Sequence, residues 1–299
     1  MMYYHYPVLL KESVEGLNIK SSGIYVDVTY GGGGHSREIL RYIKEGRLFG
    51  IDCDEDAAKN IVTDNRFVFI KGNFRFLKNY LRYYKINKVD GIIADLGVSS
   101  HFLDDPERGF SFKYNKILDM RMNQNSGFMA RDLLNNYSSE SLIRIFREFG
   151  ELRNAATLVK LIIEGRQKKL FDNTGQFVES VSGCIPKNKE NQYLAKVFQA
   201  IRIEVNKEIE NLKELLTQTI DLVNKGGRLA IISYHSLEDR IVKNFIRWGN
   251  FNSDISRDIY GNYSTPFRAV TKKVIIPSQE EVRKNSRAKS AKLRIAEKN

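Results

Sequence analysis

Short apolar runs alternate with amphipathic stretches along the first third of the chain. Residues 24–28, 47–51, 67–70 and 89–94 are dense in β-branched and aromatic side chains, the signature of buried strands. Between them, residues 36–43 and about 54–62 carry a helical spacing of apolar positions. Strands that alternate with helices predict a parallel sheet, because parallel neighbours need crossover connections.

The pattern changes in the middle. From 128 to 185 the apolar positions repeat with a helical period and no strand intervenes. Leu142, Phe146 and Phe149 share one face, Ala155, Val159 and Ile162 a second, and Phe177, Val178 and Val181 a third. Gly150, Gly165 and Pro186 read as stops. The first regime then resumes. One long helical pattern covers 193–223 and closes at Gly226-Gly227, residues 228–234 form a strand, and Ser236 opens a helix that buries Ile241, Val242, Phe245 and Ile246. The expectation is an α/β fold with a doubly wound, Rossmann-like sheet, interrupted by a smaller all-helical insert. The sheet domain is expected over 1–104 and 198–299, and the insert over 105–197 with substrate recognition as its part.

Candidate chemistry collects where strands end. Asp27 closes the first strand and is followed by Gly31, Gly32, Gly33 and Gly34, then His35 and Ser36. Consecutive glycines between a strand and a helix let the backbone turn sharply and approach a ligand closely. Such a turn suits a dinucleotide, a nucleoside phosphate or S-adenosylmethionine, but no Gly-Lys-Ser/Thr follows, so it is not a P-loop. A carboxylate beside the turn favours the cationic S-adenosylmethionine and repels a pyrophosphate. Asp52 ends the second strand, where doubly wound folds place the acid that holds ribose hydroxyls. Phe74, after the third strand, either stacks on adenine or belongs to the core. Asp95 follows the fourth strand. It either accepts an N–H from an amine being methylated or holds the cofactor. His235, between Tyr234 and Ser236, lines a site or is structural. Ser236 with Asp239 three residues on resembles a capping box.

Charge changes the picture modestly. With 48 Lys+Arg against 36 Asp+Glu the 299-residue chain carries +12, which suits a polyanionic partner and also serves solubility. Much of the bias sits at 282–299, which reads either as a phosphate-tracking tail or as a solvated terminus. Two distant cysteines, Cys53 and Cys184, and four scattered histidines offer no metal-ligand spacing, so no metal is expected. No stretch approaches the roughly 20 apolar residues of a membrane span, and a cytoplasmic setting is expected.

Several segments together resemble the bacterial small-subunit (16S) rRNA cytidine-N4 methyltransferase family. They are His5-Tyr6-Pro7-Val8-Leu9-Leu10, Gly33-Gly34-His35-Ser36, Asp95-Leu96-Gly97-Val98-Ser99-Ser100 and Glu107-Arg108-Gly109-Phe110-Ser111-Phe112. Leu118-Asp119-Met120-Arg121-Met122, Phe198-Gln199-Ala200-Ile201-Arg202 and the stretch from Ser233 to Arg240 complete the set. The resemblance implies an S-adenosylmethionine-dependent enzyme with cofactor contacts at Gly33, Gly34, His35, Asp52, Phe74 and Asp95. The implied substrate is a cytidine in the decoding region of 16S rRNA within the small subunit. A homodimer is among the expected assemblies. Asp95 and His235 are the catalytic candidates. Where the family has a glutamine near the cofactor this chain has Phe102, which has no amide to donate. The Asp/Asn-Pro-Pro-aromatic signature of amino methyltransferases is absent. The rival readings are a methyltransferase with another acceptor, a non-catalytic RNA-binding assembly factor, and a nicotinamide oxidoreductase.

Overall fold

The computed structural model describes residues 7–97, 105–252 and 264–299. The chain divides into two compact units, residues 1–97 with 210–299, and residues 98–209.

The first unit is built on a seven-stranded sheet: β1 (Ile24–Asp27), β2 (Arg47–Asp52), β3 (Phe67–Lys71), β4 (Val89–Asp95), β5 (Val223–Ser233), β6 (Phe267–Ala269) and β7 (Lys292–Lys298). Their spatial order is β3-β2-β1-β4-β5-β7-β6. The first five run parallel, while β7 pairs antiparallel with both β5 and β6. Alternation along each strand divides the core between the two faces. Ile92 and Ala94 of β4, with Leu229 and Ile231 of β5, join Leu81, Leu212, Leu216, Val242 and Phe245 on one face. Ile93, Ala230 and Ile232 join Leu9, Val14, Leu17, Ile39 and Leu40 on the other. Helices α1 (Leu10–Gly16) and α2 (Gly34–Tyr42) therefore cover the second face. The sheet is buried on both sides, as the doubly wound reading requires.

In the second unit, α4 (Ala130–Asn136), α5 (Ser139–Glu148), α6 (Ala155–Lys168), α7 (Thr174–Val181) and α8 (Glu190–Asn206) follow α3 (Leu77–Tyr83), which belongs to the sheet unit. Leu142, Phe146, Val159, Ile162, Phe177 and Val181 are buried, on the faces that the spacing predicts. The family-like segments before α4 are structural here. Gly109 has φ +70, and a Cβ on it would lie 2.2 Å from the carbonyl oxygen of Ile117, so only glycine fits. The buried Arg108 donates to the carbonyls of Arg121 and Met122, at 2.9 and 3.2 Å. Asn206 takes the Met122 N–H at 2.7 Å and donates to the Met120 carbonyl at 2.8 Å.

Four expectations are corrected. The helix expected over 54–62 is only a 3-10 turn, Asp56–Asn60, because Asp52 captures the Asp54 N–H at 2.9 Å and holds the chain in a side-chain turn. Gly165 does not stop α6. It lies inside the helix, where a Cβ would meet Phe171 at 2.8 Å, so the glycine permits close packing. The single helix expected over 193–223 is two, α8 and α9 (Glu208–Leu222), broken at Lys207 with φ 52. Arg202 bridges the break with two bonds to Glu208, at 2.8 and 2.9 Å. The basic terminus is no free tail. Residues 282–299 hold the second half of α11 (Gln279–Lys284), a short 3-10 turn and β7, whose Leu293, Ile295 and Ala296 are buried.

Candidate active site

In an open parallel sheet, ligands bind beyond the carboxyl ends of the strands, at the point where the strand order reverses. Here that point lies between β1 and β4, and Asp27 and Asp95 are their last residues. The turn after β1 is stitched to both neighbours. Val28 N–H donates to Ile93 O at 3.0 Å and Tyr30 N–H to Ile51 O at 2.9 Å. Gly31 and Gly33 have φ +49 and +72, which a side chain would resist. Gly34 has a different reason to be glycine, since a Cβ there would lie 2.1 Å from Pro7. Pro7, just before α1, is thereby seated on the glycine turn.

The acids at the strand tips occupy three different situations. Asp27 is 2% exposed, and its oxygens accept from Thr29 N–H at 3.2 Å and Ser36 Oγ at 2.7 Å. Burial raises its pKa, against the opposing field of His35 and these hydrogen bonds. The expectation that Asp27 faces a cationic ligand therefore does not hold, and its carboxylate ties the turn to the first turn of α2. Asp52 is partly buried and reaches back to the turn. Oδ2 accepts Gly31 N–H at 2.7 Å and Oδ1 accepts Asp54 N–H at 2.9 Å. Burial pushes its carboxyl up to about 6, even though those N–H groups pull the other way. Asp95 is also partly buried. Its own N–H donates to Thr29 Oγ1 at 2.6 Å, and Oδ1 accepts from Gly97 N–H at 3.3 Å. The glycine turn thus touches the tips of both β2 and β4.

The remaining candidates are dispersed. Gly33 caps α2 and Gly34 begins it. His35 is buried, with Nε2 3.2 Å from the Val8 carbonyl, and burial lowers its pKa, so its ring is a neutral anchor for the N-terminal segment. Phe74 follows β3 and is half-buried beside the core. His235 is the N-cap of α10 (Ser236–Trp248), and its Nδ1 accepts Glu238 N–H at 3.4 Å. The capping-box reading of Ser236 is corrected by one residue. Asp239 pairs instead with Arg294, at 2.7 Å, and Lys292. Phe102 lies outside the described residues, as does the motif from Val98 to Ser100.

Two residues of the cluster escaped the sequence reading. Thr29 sits in the turn itself and holds the Asp95 backbone. Tyr234 ends the β5 run, and its ring lies against Gly97, two residues beyond Asp95, whose charge helps to raise the phenol's pKa. A polar aromatic at a strand's carboxyl end, just before a helix cap, was the signal available for it.

The model for the MraW methylase family matches residues 2–299. The chain belongs to that family. The ribosomal RNA small subunit methyltransferase H of Parabacteroides distasonis is 52% identical over 297 residues, covering 99% of this chain and 97% of its own. The protein of the same name from Cytophaga hutchinsonii is 53% identical, with 98% and 99% covered. Among the described residues, no helix is long and apolar enough to cross a membrane.

Proposed function

We propose that this chain transfers a methyl group from S-adenosylmethionine to the exocyclic N4 amine of a cytidine in the decoding region of 16S rRNA, in the small ribosomal subunit. The observation that carries the reading is the convergence of Asp52, the glycine turn and Asp95 at the reversal point of the sheet, in a family whose members include small-subunit rRNA methyltransferases.

The residues suit the cofactor. A carboxylate offers about four lone-pair positions, and the Gly31 and Asp54 N–H groups occupy two of those on Asp52. The rest would accept a pair of ribose hydroxyls, and Phe74 and the backbone at Gly33-Gly34 would help to hold the nucleoside. Bound there, S-adenosylmethionine supplies an electrophilic methyl. Asp95 works on the other reactant. The lone pair of an exocyclic amine is delocalised into the pyrimidine, and a carboxylate that accepts its N–H localises that pair for attack. In that arrangement Asp95 would take up the proton that the amine gives up on methylation and release it to water. A target base must be unpaired or flipped to present this edge, and residues 98–209 are proposed to hold the surrounding RNA.

The test is methyl transfer by the purified protein to small subunits, naked 16S rRNA and free cytidine, with digestion and mass spectrometry of the product. The expected result is one N4-methylated cytidine in rRNA and no turnover of free cytidine. Equal turnover of free cytidine would remove the RNA from the reading, and a methyl group on a different base or on protein would replace it.

A further inference from the structure

The proposed reaction asks Asp95 to present one edge of its carboxylate to an amine, and that requires the other edge to be held. Tyr234 follows β5 directly, and its largely buried phenol lies in the field of the Asp95 carboxylate. Its ring lies against the backbone after β4, since a Cβ on Gly97 would be 2.6 Å from Tyr234 Cε2. Gly97 N–H in turn donates to Asp95 Oδ1 at 3.3 Å. The Tyr234 backbone is fixed as well, because its N–H donates to Glu238 Oε2 at 2.9 Å. Ring, main chain and carboxylate are thus tied into one unit across β4 and β5, which pair in register from Gly91↔Arg228 to Asp95↔Ile232.

The electrostatic setting makes the phenol a permanent donor. Burial, and then Asp95, push its pKa well above the usual phenol range, and Glu238 and Glu281 add to this. Glu281, on α11, is itself held by Leu9 N–H at 2.7 Å. A phenol among three carboxylates keeps its proton, so it serves as a donor and takes no part as a base.

We propose that Tyr234 is a positioning residue for methyl transfer: its phenol donates to Asp95 and fixes the carboxylate edge that accepts the N–H of the target amine. The inference rests on the role assigned to Asp95 above. It adds a residue whose effect reaches the substrate only through that carboxylate.

Tyr234→Phe keeps the ring that packs on Gly97 and removes the donor. Its kcat on small subunits is expected to fall about 10- to 100-fold, the span of a hydrogen bond to a charged group. The KM for small subunits and the Kd for S-adenosylmethionine, measured by calorimetry, stay within about twofold of the unmodified protein. In an Asp95→Asn background the same change costs less than about twofold, because the partner it orients is already lost. An unchanged kcat in Y234F overturns the proposal. So does a loss of cofactor binding that matches the loss of turnover, which assigns the ring a purely structural part. An undiminished effect in the Asp95→Asn background also overturns it. Absence of transfer by the unmodified protein is a separate outcome, which sinks the functional reading and this inference together, whereas full turnover by Y234F sinks the inference alone.

Discussion

At Asp52, burial and hydrogen bonding pull in opposite directions. Removal from water raises the carboxyl to about 6, while the Gly31 and Asp54 N–H groups favour the charged form. The sign of the pH effect follows. A carboxyl raised from its usual 3.8 is largely ionised at pH 7 and takes up a proton as the pH falls through about 6. If the charged form binds the ribose, the Kd for S-adenosylmethionine weakens about fourfold between about pH 7 and about pH 5.5. Calorimetric titration across that range checks this, and Asp52→Asn should abolish the dependence. The positions of Asp52 and Asp95 were legible because strand ends can be read from apolar runs. The direction of each side chain was not legible. Asp27 turns inward to Ser36, and His235 turns to its own helix, because local hydrogen-bond partners decide the rotamer.

Among the elements, the most consequential surprise is β7. Its sequence, Lys292 to Lys298, alternates apolar and charged residues and reads as a solvated terminus. The charges are matched across the sheet, Arg294 with Asp239 at 2.7 Å and Glu297 with Arg228 at 3.0 Å, which leaves Leu293 and Ile295 free to enter the core. Single-sequence periodicity sees the charges and cannot see their partners. Deletion of residues 292–299 is therefore expected to prevent folding, since burial of Leu293 and Ile295 alone contributes about 3 to 6 kcal/mol. Circular dichroism and thermal melting check this. Substitution of the exposed Arg287 and Lys289 by alanine should leave the melting temperature within about 2 °C, as surface changes do. A truncated chain that still melts cooperatively near the full-length temperature would show β7 to be dispensable. The helices of residues 128–185 were easier, since each buries the apolar face that its period predicts. The break at Lys207 was harder, because the apolar period continues through it and the interruption is one residue with φ 52.

On the scale of the molecule, the +12 charge is unevenly shared. Residues 98–209 hold 17 of the 48 basic and 14 of the 36 acidic residues, so most of the excess lies in the sheet unit. If that excess meets RNA, affinity for a 16S rRNA fragment should fall about 100-fold between about 50 and about 200 mM salt, as release of counterions from about five phosphates requires. Filter binding at a series of salt concentrations gives the slope, and a flat line would assign the charge to solubility alone.

The central pairing of the sheet joins β4, which ends at Asp95, to β5, which begins at Val223. A ribosome adding about 5 to 20 residues per second takes roughly 6 to 25 s to cover that interval. Throughout it, the growing chain has a finished four-stranded half-sheet with one hydrophobic flank and a row of backbone donors and acceptors still open. The partner strand arrives only after every helix of the insertion has been made, so for this protein the order of synthesis and the order of assembly are bound to differ.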